Sequence, residues 1–260
     1  MKRFLVIGML AALAAVMMLP AAAVAEEDTG PFALSNFSAS ALVGTDYVFR
    51  GVSQTSENPC VQGSLDYAHP LGFYLGVWGS NVYHTISDGG LELDYYAGYA
   101  HSWGGLGLDL MAVYYHYPGS LNGEAYPEPN FFETHVGVSY TIAGGAVEPT
   151  FGVGWNWSPD YYGEDGTGNY VNGTIDIALP YNLSIGGEVG YQDIEGDKLT
   201  GNGMGLDGGN GYDWWHWRVS VGYSIFGFDL DLSYHDTSEE EFLGKDDADD
   251  RVVFSISRTF

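Results

Sequence analysis

Long apolar runs are missing from this 260-residue chain once its first 25 residues are set aside. No later window holds about 18 consecutive apolar residues, so a membrane-spanning helix is excluded beyond the N-terminus. Helical periodicity is nearly absent as well, whereas alternation of apolar and polar residues recurs along the chain. These absences indicate an all-β protein.

Cysteine is equally scarce, since Cys60 is the single one in the chain. One thiol cannot form an internal disulfide, so a disulfide framework is excluded. Cys60 falls in a predicted loop, where a tolerated free thiol is a simpler interpretation than a functional one.

Basic residues are few: 8 Lys and Arg stand against 34 Asp and Glu, which gives a net charge of −26. This balance argues against nucleic acid as a partner and against simple adsorption to anionic lipid. High charge can indicate disorder, but aromatic residues make up 15% of this chain. Disordered chains are poor in aromatics, so we expect this one to fold.

The N-terminus has the three parts of a secretory signal peptide. Lys2 and Arg3 supply positive charge, an apolar stretch follows, and Ala23-Val24-Ala25 is a small-x-small cleavage site. A transmembrane anchor is the alternative, but the apolar stretch is short and ends at a proline. We predict that residues 1–25 are removed and that residues 26–260 form one outer-membrane β-barrel domain.

Twelve segments alternate with period two and are separated by turn signals. Their connections alternate between long and short, and both chain ends fall on the short-turn side. A soluble β-sandwich also alternates, but nothing makes its loops long at one end only. The pattern therefore predicts a transmembrane up-and-down antiparallel β-barrel of about 12 strands. The predicted strands are 37–50, 61–69, 72–82, 91–102, 106–117, 131–141, 146–157, 169–179, 183–192, 212–225, 228–235 and 251–260.

The last ten residues, Arg251–Phe260, form the predicted closing strand and end on an aromatic residue. This resembles the C-terminal signal of bacterial outer-membrane barrels. We therefore expect the bacterial outer membrane as the location and the barrel-assembly machinery as a partner of this strand. The other expected partners are outer-membrane lipid, lipopolysaccharide, and small solutes or cations.

Aromatic residues concentrate near the predicted strand ends, which is typical of the girdles at membrane interfaces. Ordinary core aromatics, the alternative, would lie in mid-strand more often. The predicted girdle contains Tyr83, Tyr114, Tyr115, Tyr117, Trp155, Trp157, Tyr170, Trp214, Trp215 and Trp217.

Short motifs in the first half of the chain resemble a known family. Gly44-Thr-Asp-Tyr-Val-Phe-Arg-Gly-Val-Ser-Gln-Thr55, Trp78-Gly-Ser-Asn-Val82 and Tyr114-Tyr-His-Tyr-Pro-Gly119 are similar to the N-terminal signature of the TorF family of proteobacterial porins. The match is diffuse after these motifs, and it departs at Thr45 and Cys60. The resemblance implies an outer-membrane barrel with pore activity, and it implies no catalytic residues.

Strand parity assigns one polar face to the barrel lumen, and carboxylates dominate that face. A low-dielectric wall lined by carboxylates attracts cations and repels anions, so we predict a cation-preferring channel. The alternative is that the carboxylates pair with the few arginines, or with Tyr, Ser and Thr, and merely fill a narrow barrel. The predicted lumen and selectivity residues are Asp46, Arg50, Asp66, Glu92, Asp94, Asp109, Glu133, Glu148, Asp176, Glu188, Arg218, Asp229 and Asp231.

Asp46 and Arg50 have the same parity on the first predicted strand, so both point inward there. Arg50 facing an acidic cluster would make a constriction with an electric field across the lumen. The alternative is a structural ion pair that anchors the first strand, and the sequence leaves both interpretations open.

An enzymatic site has little support. His84 and Ser87 are close in sequence but have opposite parity, and no third group lies at a defined spacing. No Gly-x-Ser-x-Gly or His-Glu-x-x-His motif is present. The Gly-rich loop at 193–211 is interpreted as a flexible loop. The acidic loop at 236–250 is interpreted as a solvated loop, with a weak Ca²⁺ or Mg²⁺ site as the alternative. We therefore predict no enzyme activity, cofactor or metal site; the functional alternative is a non-conducting barrel with a structural, adhesin or lipid-modifying role.

Overall fold

The structure is a computed structural model that describes residues 30–83, 89–120, 128–145, 147–196, 211–239 and 246–260. Twelve strands close into an antiparallel barrel, which confirms the predicted fold. The predicted signal peptide, His84 and Ser87, and parts of the Gly-rich and acidic loops lie outside the described residues. Within the described part of the chain, no helix is long and apolar enough to cross a bilayer.

The strands follow in chain order, with two short ones between the first and second strands of the barrel. They are β1 (Phe37–Gly44), β2 (Val48–Phe49), β3 (Val52–Ser53), β4 (Cys60–Ala68), β5 (Phe73–Asn81), β6 (Leu91–Trp103), β7 (Leu106–His116), β8 (Phe131–Thr141), β9 (Glu148–Ser158), β10 (Gly168–Leu179), β11 (Leu183–Ile194), β12 (Tyr212–Ile225), β13 (Phe228–Thr237) and β14 (Arg251–Thr259). Short 3-10 turns lie at Leu34–Asn36, Pro180–Asn182 and Asp246–Ala248.

The barrel closes where β1 pairs with both β4 and β14. Phe260 extends this ladder, since its backbone exchanges two hydrogen bonds with Ala39. Among the described residues, every strand of the barrel is paired on both sides, as a bilayer requires. We call the end with tight turns such as Gly104-Gly105 and Phe226-Gly227 the short-turn end, and the opposite end the long-loop end.

The two faces of the wall follow the period-two pattern. On β12, Val219 and Val221 are 55% and 54% exposed, whereas Ser220 between them is 8% exposed. Alternate side chains of a strand point to opposite faces, so the apolar set forms the outer surface and the polar set lines the inside.

Aromatic rings on the outer surface form belts near both ends. Trp155 and Trp215 are exposed towards the long-loop end, and Trp103 and Tyr140 towards the short-turn end. Part of the predicted girdle is wrong, because parity turns four of its rings inward. These buried residues are Tyr115, Tyr117, Tyr170 and Trp214.

The prediction of one strand over 37–50 is wrong after Gly44. There β1 ends, and residues 45–59, which we call the crossbar, turn into the lumen before the chain resumes as β4. A Cβ atom on Gly44 would lie 2.9 Å from Cys60 Sγ, so glycine permits the close approach at this corner. The strands β2 and β3 belong to the crossbar and pair only with each other.

A buried apolar core fills the long-loop half of the barrel. Its members come from the crossbar, the wall and the loops: Val52, Val82, Val113, Tyr115, Tyr117, Phe131, Tyr161, Ile194 and Trp214. Burial of one such valine contributes about 1.5 kcal/mol, so the core holds the crossbar by ordinary hydrophobic packing.

Candidate functional site

The tip of the crossbar, where the chain reverses direction, is a tight two-residue turn at Arg50-Gly51. The backbone φ is +48° at Arg50 and +85° at Gly51, and hairpin turns of this kind favour Asn-Gly. An arginine in this left-handed region costs about 1 kcal/mol. A Cβ on Gly51 would lie 2.5 Å from Thr237 Cγ2 and 2.6 Å from His216 Cβ, so the tip is seated directly against the far wall.

The Arg50 side chain joins the tip to that wall. Its Nη2 donates to Glu133 Oε1 at 2.5 Å and its Nη1 to Gln192 Oε1 at 2.7 Å. Its guanidinium carbon lies 4.1 Å from the centre of the Tyr170 ring. Trp214 Nε1 donates to the Arg50 carbonyl at 2.9 Å. These contacts come from β8, β10, β11 and β12, so the crossbar spans the lumen.

The Arg50–Glu133 pair is buried, with side chains 5% and 2% exposed. Burial acts to lower the pKa of the Arg50 guanidinium, but the Glu133 carboxylate, together with Tyr161 and Tyr115, raises it, so the pKa lies above its ordinary value. The Glu133 carboxylate also accepts a hydrogen bond from Asn156 Nδ2 at 2.7 Å. The pair is therefore held by further polar contacts, as a buried ion pair needs.

The base of the crossbar is held by Asp46. Its Oδ1 accepts hydrogen bonds from Ser53 Oγ at 2.7 Å and Thr55 Oγ1 at 2.6 Å, and its Oδ2 lies 3.2 Å from Arg251 Nη1. An ion pair between Asp46 and Arg50 was one expectation from parity. It is wrong: Asp46 pairs with Arg251 on the closing strand, and Arg50 pairs across the lumen.

Two predicted carboxylates on β6 lie beside the crossbar. Glu92 is 2% exposed and Asp94 is 9% exposed. The Tyr47 hydroxyl donates to Glu92 Oε1 at 3.3 Å. Glu92 Oε2 and Asp94 Oδ1 have no hydrogen-bond partner among the described residues. In the same described part of the chain, no group of three His, Cys, Asp or Glu residues is arranged to hold a metal ion.

Glu188 lies on the short-turn side of the crossbar, where it hydrogen-bonds to two uncharged side chains. Its Oε1 accepts hydrogen bonds from the Tyr170 hydroxyl and from Asn172 Nδ2, both at 2.8 Å. The Tyr170 oxygen also lies 2.8 Å from His216 Nε2. Sequence reasoning missed Gln192 as a site residue and assigned Tyr170 to the outer girdle. Inward parity was the available signal for both.

Hydroxyl groups hold two carboxylates in the short-turn half. Asp66 accepts hydrogen bonds from the Tyr96 hydroxyl and from Ser64 Oγ, the latter at 2.6 Å. Asp109 accepts one from the Tyr74 hydroxyl at 2.7 Å. These hydroxyl groups thus orient the two carboxylates, which stay partly exposed.

The remaining predicted residues of this half are open to solvent. Arg218 Nη2 lies 2.8 Å from Asp231 Oδ1, with both side chains 31% exposed. Asp176 is exposed, and Asp229 accepts a hydrogen bond from Ser224 Oγ. At the turn before β9, Glu148 accepts one from the Gly144 N–H at 3.0 Å.

The lumen is hollow from the short-turn end up to the crossbar. A cavity of about 610 Å³ is lined by Asp109, His135 and Asn172, among others. A second cavity of about 400 Å³ shares those three residues and reaches Phe49 and Arg50. The two cavities therefore adjoin, and the crossbar stands at their inner end.

The fold and this interior define a porin-like closed barrel. The chain belongs to the family described as a bacterial protein of unknown function (Gcw_chp), whose model matches residues 25–260. That model is not the TorF family, so the resemblance noted in the sequence is not confirmed as membership. No curated protein matches the sequence.

Solved structures of similar fold include two porins. The NanC porin aligns with a TM-score of 0.53 at 9% identity, covering 85% of this chain and 98% of that one. The KdgM porin aligns with a TM-score of 0.51 at 9% identity, covering 86% of this chain and 98% of that one. At this identity the likeness concerns the fold.

Proposed function

We propose that this protein is an outer-membrane channel for passive diffusion of small solutes, with a preference for cations and no catalytic role. The observation that carries the proposal is the hollow short-turn half of the lumen. Of the predicted lumen residues, that half holds one guanidinium, Arg218, against seven carboxylates. The carboxylates are Asp66, Asp109, Glu148, Asp176, Glu188, Asp229 and Asp231.

The carboxylates of this half act on solutes because they are partly exposed in the lumen. Carboxylates on a low-dielectric wall lower the electrostatic potential inside the passage. Such a wall concentrates cations and excludes anions, as acidic rings do in cation channels. The apolar outer surface and the two aromatic belts support a barrel inserted in a membrane.

A non-conducting barrel with a structural, adhesin or lipid-modifying role is the second candidate. The observation that favours it is the long-loop half, where the crossbar and an aromatic core occupy the interior. This half is packed as the inside of a globular domain is, and packing of that kind opposes the passage of water and ions.

The test is single-channel recording of the refolded chain, residues 26–260, in a planar bilayer under a KCl gradient. We expect discrete steps with a cation-selective reversal potential. The double variant Asp109→Asn/Asp176→Asn should move that potential towards zero, and the matched Asp250→Asn, outside the lumen, should not. Anion selectivity would refute the cation preference, and a folded barrel without steps, even after the crossbar is shortened, would favour the second candidate.

A further inference from the structure

We propose that the crossbar, residues 45–59, is a gate whose tip leaves the far wall when the Arg50–Glu133 contact is broken, joining the hollow half of the lumen to the long-loop end. This inference rests on the proposed channel function. It assigns to Arg50 a role in opening that is separate from the selectivity of the short-turn carboxylates.

The two ends of the crossbar are attached differently. At its base the chain continues into β1 and β4, which pair over eight residues from Phe37↔Tyr67 to Gly44↔Cys60. At its tip no backbone ladder joins β2 or β3 to the wall. The tip is held by the Arg50 side chain, by Trp214 and by apolar packing, so it is able to leave without breaking any strand pair of the barrel.

The backbone of the crossbar is strained at its tip and on its return arm. Among the described residues, seven non-glycine residues have positive φ, and three of them lie here: Arg50 (+48°), Ser56 (+46°) and Glu57 (+60°). Such residues persist where surrounding contacts hold them, and they concentrate at switch regions. The turn at Arg50 moves with the hairpin, and Ser56 and Glu57 supply a bend between the hairpin and β4.

The crossbar tip, with its Arg50–Glu133 contact, lies at the boundary between the cavity and the packed core. Phe49 and Arg50 line the cavity of about 400 Å³ on one side. On the other side Val52, which is 5% exposed, belongs to the apolar core. Movement of this one hairpin therefore opens the cavity towards the long-loop half and takes Val52 out of the apolar core there.

A thiol at the tip reports this movement independently of conduction. Cys60 is the one native cysteine and is fully buried, so Cys60→Ser combined with Val52→Cys moves the reporter to the core-facing side of the hairpin. In this background we expect Glu133→Gln and Arg50→Gln each to raise the maleimide labelling rate at least about tenfold. Both should also raise the open probability. Glu195→Gln, an exposed carboxylate outside the crossbar, is the matched control.

The outcomes separate the two proposals, once heat-modifiable gel mobility shows that each variant is a folded barrel. Faster labelling with a higher open probability supports the gate. Unchanged labelling in both Glu133→Gln and Arg50→Gln overturns the gate, and wild-type conduction then still supports the channel. Faster labelling in barrels that never conduct overturns the channel while the movement of the crossbar stands.

Discussion

The two halves of the lumen carry the same kinds of residue in different surroundings. In the long-loop half, Arg50 and Glu133 are almost fully buried, and each also hydrogen-bonds to an amide side chain. In the short-turn half, Arg218 and Asp231 are equally close but about one third exposed. Water satisfies the second pair if a partner is lost, whereas the first pair is almost wholly surrounded by protein. The same kind of ion pair therefore holds the crossbar in one half and forms part of a hydrated wall in the other.

The largest expected effect is on the buried pair. Glu133→Ala leaves the Arg50 guanidinium buried without its counter-charge, which should lower the free energy of unfolding by about 3–5 kcal/mol. Urea unfolding in detergent micelles, followed by tryptophan fluorescence, measures this. Glu195→Ala is the matched control, and a loss no larger than that of the control would show that the long-loop half is as hydrated as the other.

The next effect concerns the seat of the crossbar tip. Gly51→Ala places a methyl group against Thr237 and His216 at positive φ, and should lower the free energy of unfolding by about 2–3 kcal/mol. Gly104→Ala also has positive φ but meets nothing within 4 Å, so only the backbone cost of about 1 kcal/mol applies. The same unfolding assay compares them, and equal losses would mean that the tip is not seated on the wall.

A smaller effect is expected for the exposed pair. Arg218→Gln should change the free energy of unfolding by less than about 1 kcal/mol, because solvent screens the pair. The same change removes the one predicted guanidinium of the short-turn wall, so the reversal potential should become more cation-selective. A loss of stability comparable to that of Glu133→Ala would contradict the division of the lumen into two halves.

The smallest expected effect on the structure comes from salt. Raising KCl from about 0.1 M to about 1 M shortens the Debye length from about 10 Å to about 3 Å. Cation selectivity should therefore weaken while the fold is unchanged, because the buried pair is screened far less than the exposed wall. Both measurements are made at both salt concentrations. The reversal potential checks the selectivity, and near-UV circular dichroism checks the fold.

The sequence alone determined the architecture. Period-two alternation and the long and short connections gave the twelve strands, the closing strand and the face on which most lumen carboxylates lie. These features are local, because the side-chain direction of a strand residue follows from its position in the strand. The same rule failed after Gly44, where alternation continues through Tyr47 and Phe49 although the chain has left the wall.

Only the tertiary structure decided the crossbar and its partners. Alternation shows that a face is apolar, but it cannot tell whether that face meets lipid or an aromatic core inside the barrel. The contacts that hold the crossbar join distant residues: Arg50 and Gln192 are 142 positions apart, and Asp46 and Arg251 are 205 apart. Closure of the barrel brings these groups together, because strands far apart in sequence face one another across a single lumen.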